Sequence, residues 1–546
     1  MTNETSEPIL ADAARRAGDA DAIRLLAELV ALAPTNLEDP LHHRWEKPHY
    51  QSVADRIVRS ARLFGLATRT FDPLVELPAG SDLHGVSRPN VIVDLDVGAG
   101  RWTLILAHYD VVPVPEEQLT RWHSPPHTLT ARADGRLYGR GSNDDLGSGI
   151  VASLIAMKHL AQASSLPSNV RLLACCDEET GGAGGIEALK EHDAELGPKS
   201  PDRILLGDVA LIPDGSPHAT AGSSGVAFLD GTFSTPVPIS EAVAFGRALI
   251  DLHDLARTWR SIYPSPDWPD HQAPDPRITG RASLTRMDLV TEPPGPTGTS
   301  EVRLVSAHAE TEASNQIPEA VSLVFSGPLE RLEGLEADLE ARIPAPFRLS
   351  LGGRSSLPTP AGGLLLQVVG LGAHGGYPHL AHNPVPATLA LLDEAAQEQL
   401  VSSSGLVLAS YGVDLRLIPE MDLADGLAAA LGNIDAWIHK QSSSATVTAP
   451  EDRCRGGYAL PIDHPAVRKL ERLLREEFGA SGVFGEYGGT DASSLATVRT
   501  PSGAPLPALV FGSMDRSANI HQAEESVDPS GLGSVIRIIE RFILEP

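Results

Sequence analysis

The chain has 546 residues, 42% of them hydrophobic, which is material for more than one core and several domains of ordinary size. Its 50 glycines and 44 prolines stay below the roughly 25–30% typical of low-complexity chains, so a disordered polymer is excluded. With 71 acidic against 43 basic residues the formal net charge is −28, a balance that repels phosphate backbones and excludes nucleic acid as a partner.

The start, MTNETSEPILADAARR, has no apolar signal core, and no run approaches the ~18–20 apolar residues of a membrane span. A cytoplasmic chain without membrane contact is expected. Residues 21–32 and 51–64 carry apolar positions at helical spacing. Three strand-like runs follow, each ending in polar residues: LILAHYD (104–110), VRLLACCDEE (170–179) and RILLGDVALIPDG (203–215). Continuous apolar runs separated by helices indicate strands buried on both faces of a sheet. Between the first two, 146–160 reads as a helix behind the glycine-rich turn GRGSND (139–144). Cys175 and Cys176 fall in an apolar run and read as buried small hydrophobes; with Cys454 they make an odd count, which is no disulfide framework and fits a reducing compartment.

From about Gly225 the pattern changes to alternation. GVAFLDGTFS (225–234), EVRLVSA (301–307), AVSLVFSG (320–327) and LLLQVVGLG (364–372) read as half-exposed strands, with helices at 242–263 and 386–399 and a loop over 265–280. After Cys454 a helix (465–478), a turn (486–493) and a strand (508–512) return to the earlier style. The fold expected is one α/β domain, residues 1–224 and 455–546, interrupted by an inserted domain over 225–454.

Polar residues at the strand ends form one set: His108 and Asp110, Asp144 and Asp145, Glu178 and Glu179, Asp214, and His521 with Glu525. An open α/β sheet places its site at the carboxyl ends of its strands. Oxygen and imidazole donors without thiolates suit zinc, manganese or cobalt. Two histidines and three carboxylates can hold two metals, one carboxylate bridging, and a further carboxylate can take a proton from the activated water. Singly, each piece has an ordinary explanation: a His-x-Asp is commonly hydrogen-bonded structure, and an Asp-Glu-Glu or Asp-Gly is commonly a turn. Their order and their common place at strand ends favour the metal site.

The motifs HYDVVPV, W-x-S-P-P (122–126), DGRLYGRGSNDD, DEETGG, GGTDAS (488–493) and the terminal His-x-x-x-Glu resemble, in this order, the dinuclear-zinc peptidase and deacylase family of carboxypeptidase G, succinyl-diaminopimelate desuccinylase, acetylornithine deacetylase and carnosinase. The resemblance implies a zinc-peptidase-like catalytic domain with a central mixed sheet flanked by helices, interrupted by a large α+β lid. It implies two Zn2+ ions, with Co2+ or Mn2+ as substitutes: His108 and Asp214 on one, Glu179 and His521 on the other, Asp144 bridging. Glu178 would be the general base, Asp110 would orient His108, and Glu525 would orient His521. Leu146 stands where the family often has lysine.

The insertion exceeds the family's common lid, and Asn315-Gln-Ile-Pro318 precedes GLGAHGGYP, which carries His374. This order resembles the PepV-type dipeptidases and implies a two-lobed lid whose His374 binds the developing oxyanion in cis. Asn315 would assist substrate binding, Arg416 would grip a substrate carboxylate in bidentate fashion, and Gly488 and Gly489 would let the backbone approach the substrate. As ordinary structure, His374 is a loop histidine, Arg416 an ion-paired strand residue, and the two glycines a turn. The substrate expected is a small carboxylate-bearing amide, a dipeptide or an N-acyl amino acid, hydrolysed by a monomer or a homodimer. Two other readings stay open: an exopeptidase or aminopeptidase of longer peptides, and a non-catalytic binding protein on the same fold.

Overall fold

The computed structural model describes residues 3–35, 50–73, 87–114, 119–197, 200, 202–265, 277–291, 301–309, 316–351, 363–374, 381–402, 406–441, 444–450, 453–479, 482–488 and 490–545, without the side chains of 3–8, 144, 316 and 373–374. Contacts divide the chain into two compact units. One comprises Met1–Gly222, Tyr458–Phe484 and Thr490–Pro546; the other comprises Ser223–Gly457 and Gly485–Gly489.

The first unit is built on a mixed sheet in the order Ala67–Phe71, Asn90–Leu95, Asn169–Cys175, Trp102–His108, Val209–Ile212, Ala508–Val510, Ala219–Ser223 and Tyr458–Ala459. The four strands from Asn169–Cys175 to Ala508–Val510 are parallel neighbours. They are buried almost throughout, as their unalternating apolar sequence requires. Helices cover them: Ala152–Leu160 packs on Asn169–Cys175 and on Pro529–Leu544, and Pro465–Phe478 packs on Ala508–Val510. Local chemistry sets the helix starts. Asp19 and Asp528 cap Ala20–Leu32 and Pro529–Leu544 by accepting from Asp21 N–H and Ser530 N–H, the latter beside a proline at the first helical position.

Two expectations need correction here. The run 203–215 is strand only over Val209–Ile212. The N–H groups of Ile204 and Leu205 donate instead to the buried Asp193 carboxylate, at 2.8 Å each, so they are lost to the ladder. The helix read over 146–160 begins as a π-helical turn, Asp144–Val151, before the α-helix Ala152–Leu160. Leu146 N–H donates to Gly141 O and Ser148 N–H to Asn143 O, each five residues back. Such turns recur at functional sites because they re-aim side chains.

The second unit is an antiparallel sheet in the order Arg348–Leu351, Leu364–Val369, Ala320–Ser326, Arg303–Ala309, Arg281–Thr291, Leu406–Arg416, Val226–Phe233 and Ala445–Thr448. Helices Ile239–Ala256, Pro384–Gln397 and Leu329–Glu340 bury their apolar stripes in its core. Among the described residues, two short strand pairs, Arg260–Pro264 with Arg277–Thr279 and Gln316–Ile317 with Ala373–His374, lie outside this sheet. The two 11-residue strands Arg281–Thr291 and Leu406–Arg416 pair along their whole length and join both halves of the insertion. The helix expected over 242–263 stops at Ala256, and Arg260–Pro264 alternates exposed and buried residues as a strand paired with Arg277–Thr279.

Candidate metal centre

Strand ends bring the site together within the first unit. Trp102–His108 delivers His108, and two residues on, the fully buried Asp110 closes back on it. The Asp110 backbone carbonyl lies 3.0 Å from His108 Nδ1, and its carboxylate lies 3.4 Å from the same atom. The same carboxylate accepts from Glu178 N–H and Glu179 N–H at 3.1 Å each. Asp110 thus fixes the imidazole and the Glu178–Glu179 turn at once, the task of a residue that orients a metal ligand.

That turn follows Asn169–Cys175. Asp177 is left-handed (φ 60°), a conformation aspartate tolerates better than most residues, and Gly181 and Gly182 (φ 104° and 74°) close it. Asp177 is held by the buried guanidinium of Arg88, Nε to Oδ2 at 2.6 Å. His108 Nε2 faces three carboxylates: Asp145 at 3.5 Å, Asp214 at 3.5 Å and Glu178 at 4.0 Å. His108, Asp145 and Glu179 offer donor atoms that all lie within 4.8 Å of one another. His521 Nε2 lies 2.9 Å from Glu179 Oε1.

The electrostatics follow from this crowding. Burial alone would lower His108, yet Asp145, Asp110, Asp214 and Glu178 hold it well above the usual imidazole range. Burial pushes Glu178 up to about 8, with Asp491, Glu179 and Asp214 adding and His108 opposing. Burial would raise Glu179 too, but His521, then His108 and Arg140, holds it below its ordinary value. Carboxylates packed this closely must bind either protons or a cation. The thiol of Cys175, which pairs with His108 in the sheet, is pushed well up by burial and is no thiolate donor. An oxygen and imidazole donor set of this kind fits a hard or borderline divalent ion.

Of the expected residues, His108, Asp110, Glu178, Glu179, Asp214 and His521 meet here. The Asp144 side chain lies outside the described residues, and its neighbour Asp145 occupies the place beside His108. Glu525 is engaged by Arg140 Nη1 at 2.6 Å, both groups buried, and its backbone carbonyl accepts from Gly139 N–H. Asp491, buried at the start of Asp491–Leu495, belongs to the charge cluster; in the sequence it lies in GGTDAS, with no role of its own assigned.

In the second unit, Asn315 and Gly489 lie outside the described residues, as does the side chain of His374. The backbone there pairs Gln316 with His374 and Ile317 with Ala373, so the two lid motifs are antiparallel neighbours. The fork of Arg416 is taken by its own strand. Nε and Nη2 donate to Asp414 at 2.6 and 2.7 Å, and Nη1 reaches the Tyr487 carbonyl at 3.4 Å. Residues two apart share a strand face, which is why this pair forms and why the fork holds a carboxylate already. A Cβ at Gly488 would meet nothing within 4 Å.

A model of Peptidase family M20/M25/M40 matches residues 104–545. Among curated proteins, the chain is 27% identical over 189 residues to an uncharacterised metallohydrolase of Methanocaldococcus jannaschii, covering 34% of the chain and 44% of that protein. It is 32% identical over 146 residues to the Cys-Gly metallodipeptidase of Schizosaccharomyces pombe (26% and 29%), and 33% identical over 185 residues to a succinyl-diaminopimelate desuccinylase of Delftia acidovorans (31% and 46%). The chain spans less than half the length of each of these relatives. Its fold is similar to human carnosine dipeptidase 1 (TM-score 0.55, 14% identity, 99% of each chain) and to the dipeptidase Dug1p of Saccharomyces cerevisiae (0.52, 14%, 98% of each).

Proposed function

The chain belongs to peptidase family M20/M25/M40, and from that premise we propose that it is a dinuclear zinc hydrolase cleaving an amide bond in small carboxylate-bearing substrates, a dipeptide or an N-acyl amino acid. What carries the reading is the convergence of His108, Asp145, Glu178, Asp214 and the Glu179–His521 pair at the ends of parallel strands. The relatives named as a metallodipeptidase and a desuccinylase point to the same reaction type.

By the family resemblance His108 and Asp214 would hold one ion, Glu179 and His521 the other, and Asp144 would be a ligand of both. The family pattern implies Asp144, and metal stoichiometry in Asp144→Asn beside Asp145→Asn tests it. Bound divalent ions supply polarisation of the scissile carbonyl and acidification of water. Asp110 keeps His108 oriented and the Glu178–Glu179 turn in place. Glu178 accepts the water's proton and returns it to the leaving amine. His374 remains the proposed oxyanion donor on the family resemblance, so His374→Ala should lower kcat while metal content is unchanged. Arg416 remains the proposed partner of a substrate carboxylate on the family resemblance, through Nη1, since Asp414 takes Nε and Nη2. A cytoplasmic setting is the proposed one, supported by the odd count of three cysteines in the sequence.

Metal-reconstituted protein assayed on dipeptides, tripeptides, and N-acetyl and N-succinyl amino acids is the test. Turnover confined to dipeptides or N-acyl amino acids supports the reading. Preference for tripeptides replaces it with a longer-peptide exopeptidase, and absence of both metal and turnover replaces it with a binding protein.

A further inference from the structure

His521 stands on a backbone that its own residues do not favour. Asn519, His521 and Glu524 all have left-handed backbones (φ 51°, 62° and 67°), and none of the three is glycine. Such conformations persist only where surrounding structure over-determines them. Past the tip, the chain is firmly tied: Ser526–Val527 pairs with Leu137–Tyr138, and Ser526 N–H closes the loop onto Ala518 O at 2.9 Å.

The tip itself is held through residues 523 and 524. Ala523 is buried in a small apolar cluster with Val114 and Trp122. The Glu524 carboxylate is gripped by both terminal nitrogens of Arg132, Nη2 to Oε1 at 3.0 Å and Nη1 to Oε2. It also accepts from His123 N–H at 2.8 Å and lies 2.8 Å from His123 Nδ1. Arg132 is aimed by Ser124 Oγ at 2.8 Å and lies over the Tyr138 ring, 3.7 Å from its centroid. Bidentate arginine–carboxylate pairs fix orientation as well as position.

We propose that Arg132 is a positioning residue for the metal centre: by gripping Glu524 it holds the strained 518–526 loop in the shape that brings His521 to Glu179. The inference rests on the reading of His521 as a metal ligand. The effect of the pair passes through three residues of backbone, from Glu524 to His521, and so shows first in how tightly an ion is held.

The test is cobalt titration of the metal-free full-length protein, followed by visible absorption, for wild type, Arg132→Met, Glu524→Gln, the double variant, Arg132→Lys and His521→Ala. The expected result is that Arg132→Met and Glu524→Gln each weaken one cobalt equivalent at least roughly tenfold and alter the absorption band. The double variant should be no worse than either single change, the signature of groups acting as one unit. Arg132→Lys should recover part of the affinity, because one charge-assisted bond remains. Wild-type affinity and spectrum in Arg132→Met, beside a lost equivalent in His521→Ala, overturn the positioning role and leave the metal assignment standing. Unchanged cobalt binding in His521→Ala overturns both. A double variant with twice the loss of the singles means the residues act separately, which also overturns the proposal.

Discussion

At the scale of single residues, Glu178 and Glu524 are carboxylates driven in opposite directions. Glu178 is raised to about 8 by burial among other acids, and it is the group to which a proton transfer is assigned. Glu178→Gln should keep its metal and lose kcat by at least roughly 10²–10⁴-fold, the usual worth of a positioned base; near-normal turnover with metal bound would falsify the assignment. Glu524 is pulled to about 2, first by Arg132, against an ordinary 4.5. Its folded value is the depressed one, so its stabilising contribution is complete above pH 4.5 and drains away as pH falls toward 2. Glu524→Gln should therefore melt below wild type at pH 7, by a few degrees at about 2–4 °C per kcal/mol, and the gap should narrow on titration from pH 4.5 to 3. A gap that stays constant over that range would mean the carboxylate charge contributes nothing. The acids of the candidate site are legible in the sequence because they sit where apolar runs end. Arg132, Arg88 and Asp491 are not, since their partners are joined only by the fold: Arg132 and Glu524 stand 392 positions apart.

At the scale of elements, strands were easier to find than their limits. The buried runs of Trp102–His108 and Asn169–Cys175 declare themselves by lack of alternation. The apolar run 203–215 is longer than its strand Val209–Ile212, because side-chain capture of two N–H groups by Asp193 leaves no trace in hydrophobic pattern. Likewise, helical periodicity over 146–160 cannot report that the first turn is π, where each bond spans five residues. The turn carrying Glu178 and Glu179 depends on a clearance that only glycine provides. A Cβ at Gly184 would collide with Arg88 Cδ and Asp177 Oδ2, the two partners of the buried ion pair. Gly184→Ala should lower stability by up to about 3–5 kcal/mol, the range for breaking a buried pair, read as a lower urea midpoint. An unchanged midpoint would show that the pair moves aside without loss.

At the scale of the whole molecule, acidity and metal dependence are linked. The chain carries a formal charge of −28, and a buried cluster of its acids is the one assigned to cations. Removal of metal by a chelator should abolish activity and lower the melting temperature, with zinc, cobalt or manganese restoring both, because a ligand that binds only the folded state adds RT ln(1 + [L]/Kd) to its stability. Full activity in a metal-free preparation would sink the metal-dependent mechanism.

The division of the first unit between distant stretches of sequence has a consequence for how the protein is made. Val209–Ile212 receives its parallel neighbour Ala508–Val510 only after the intervening insertion has been synthesised. At about 5–20 residues per second that interval is on the order of tens of seconds. Throughout it, one flank of a buried sheet exposes unpaired amides and carbonyls, a template for association with other nascent chains. The inserted unit, contiguous over Ser223–Gly457 but for five residues, can fold while the first waits. Stalled nascent chains ending near residue 460 should accordingly resist protease across the insertion and remain cleavable before it. His521 emerges later still, so its pairing with Glu179 can form only once translation has passed beyond it.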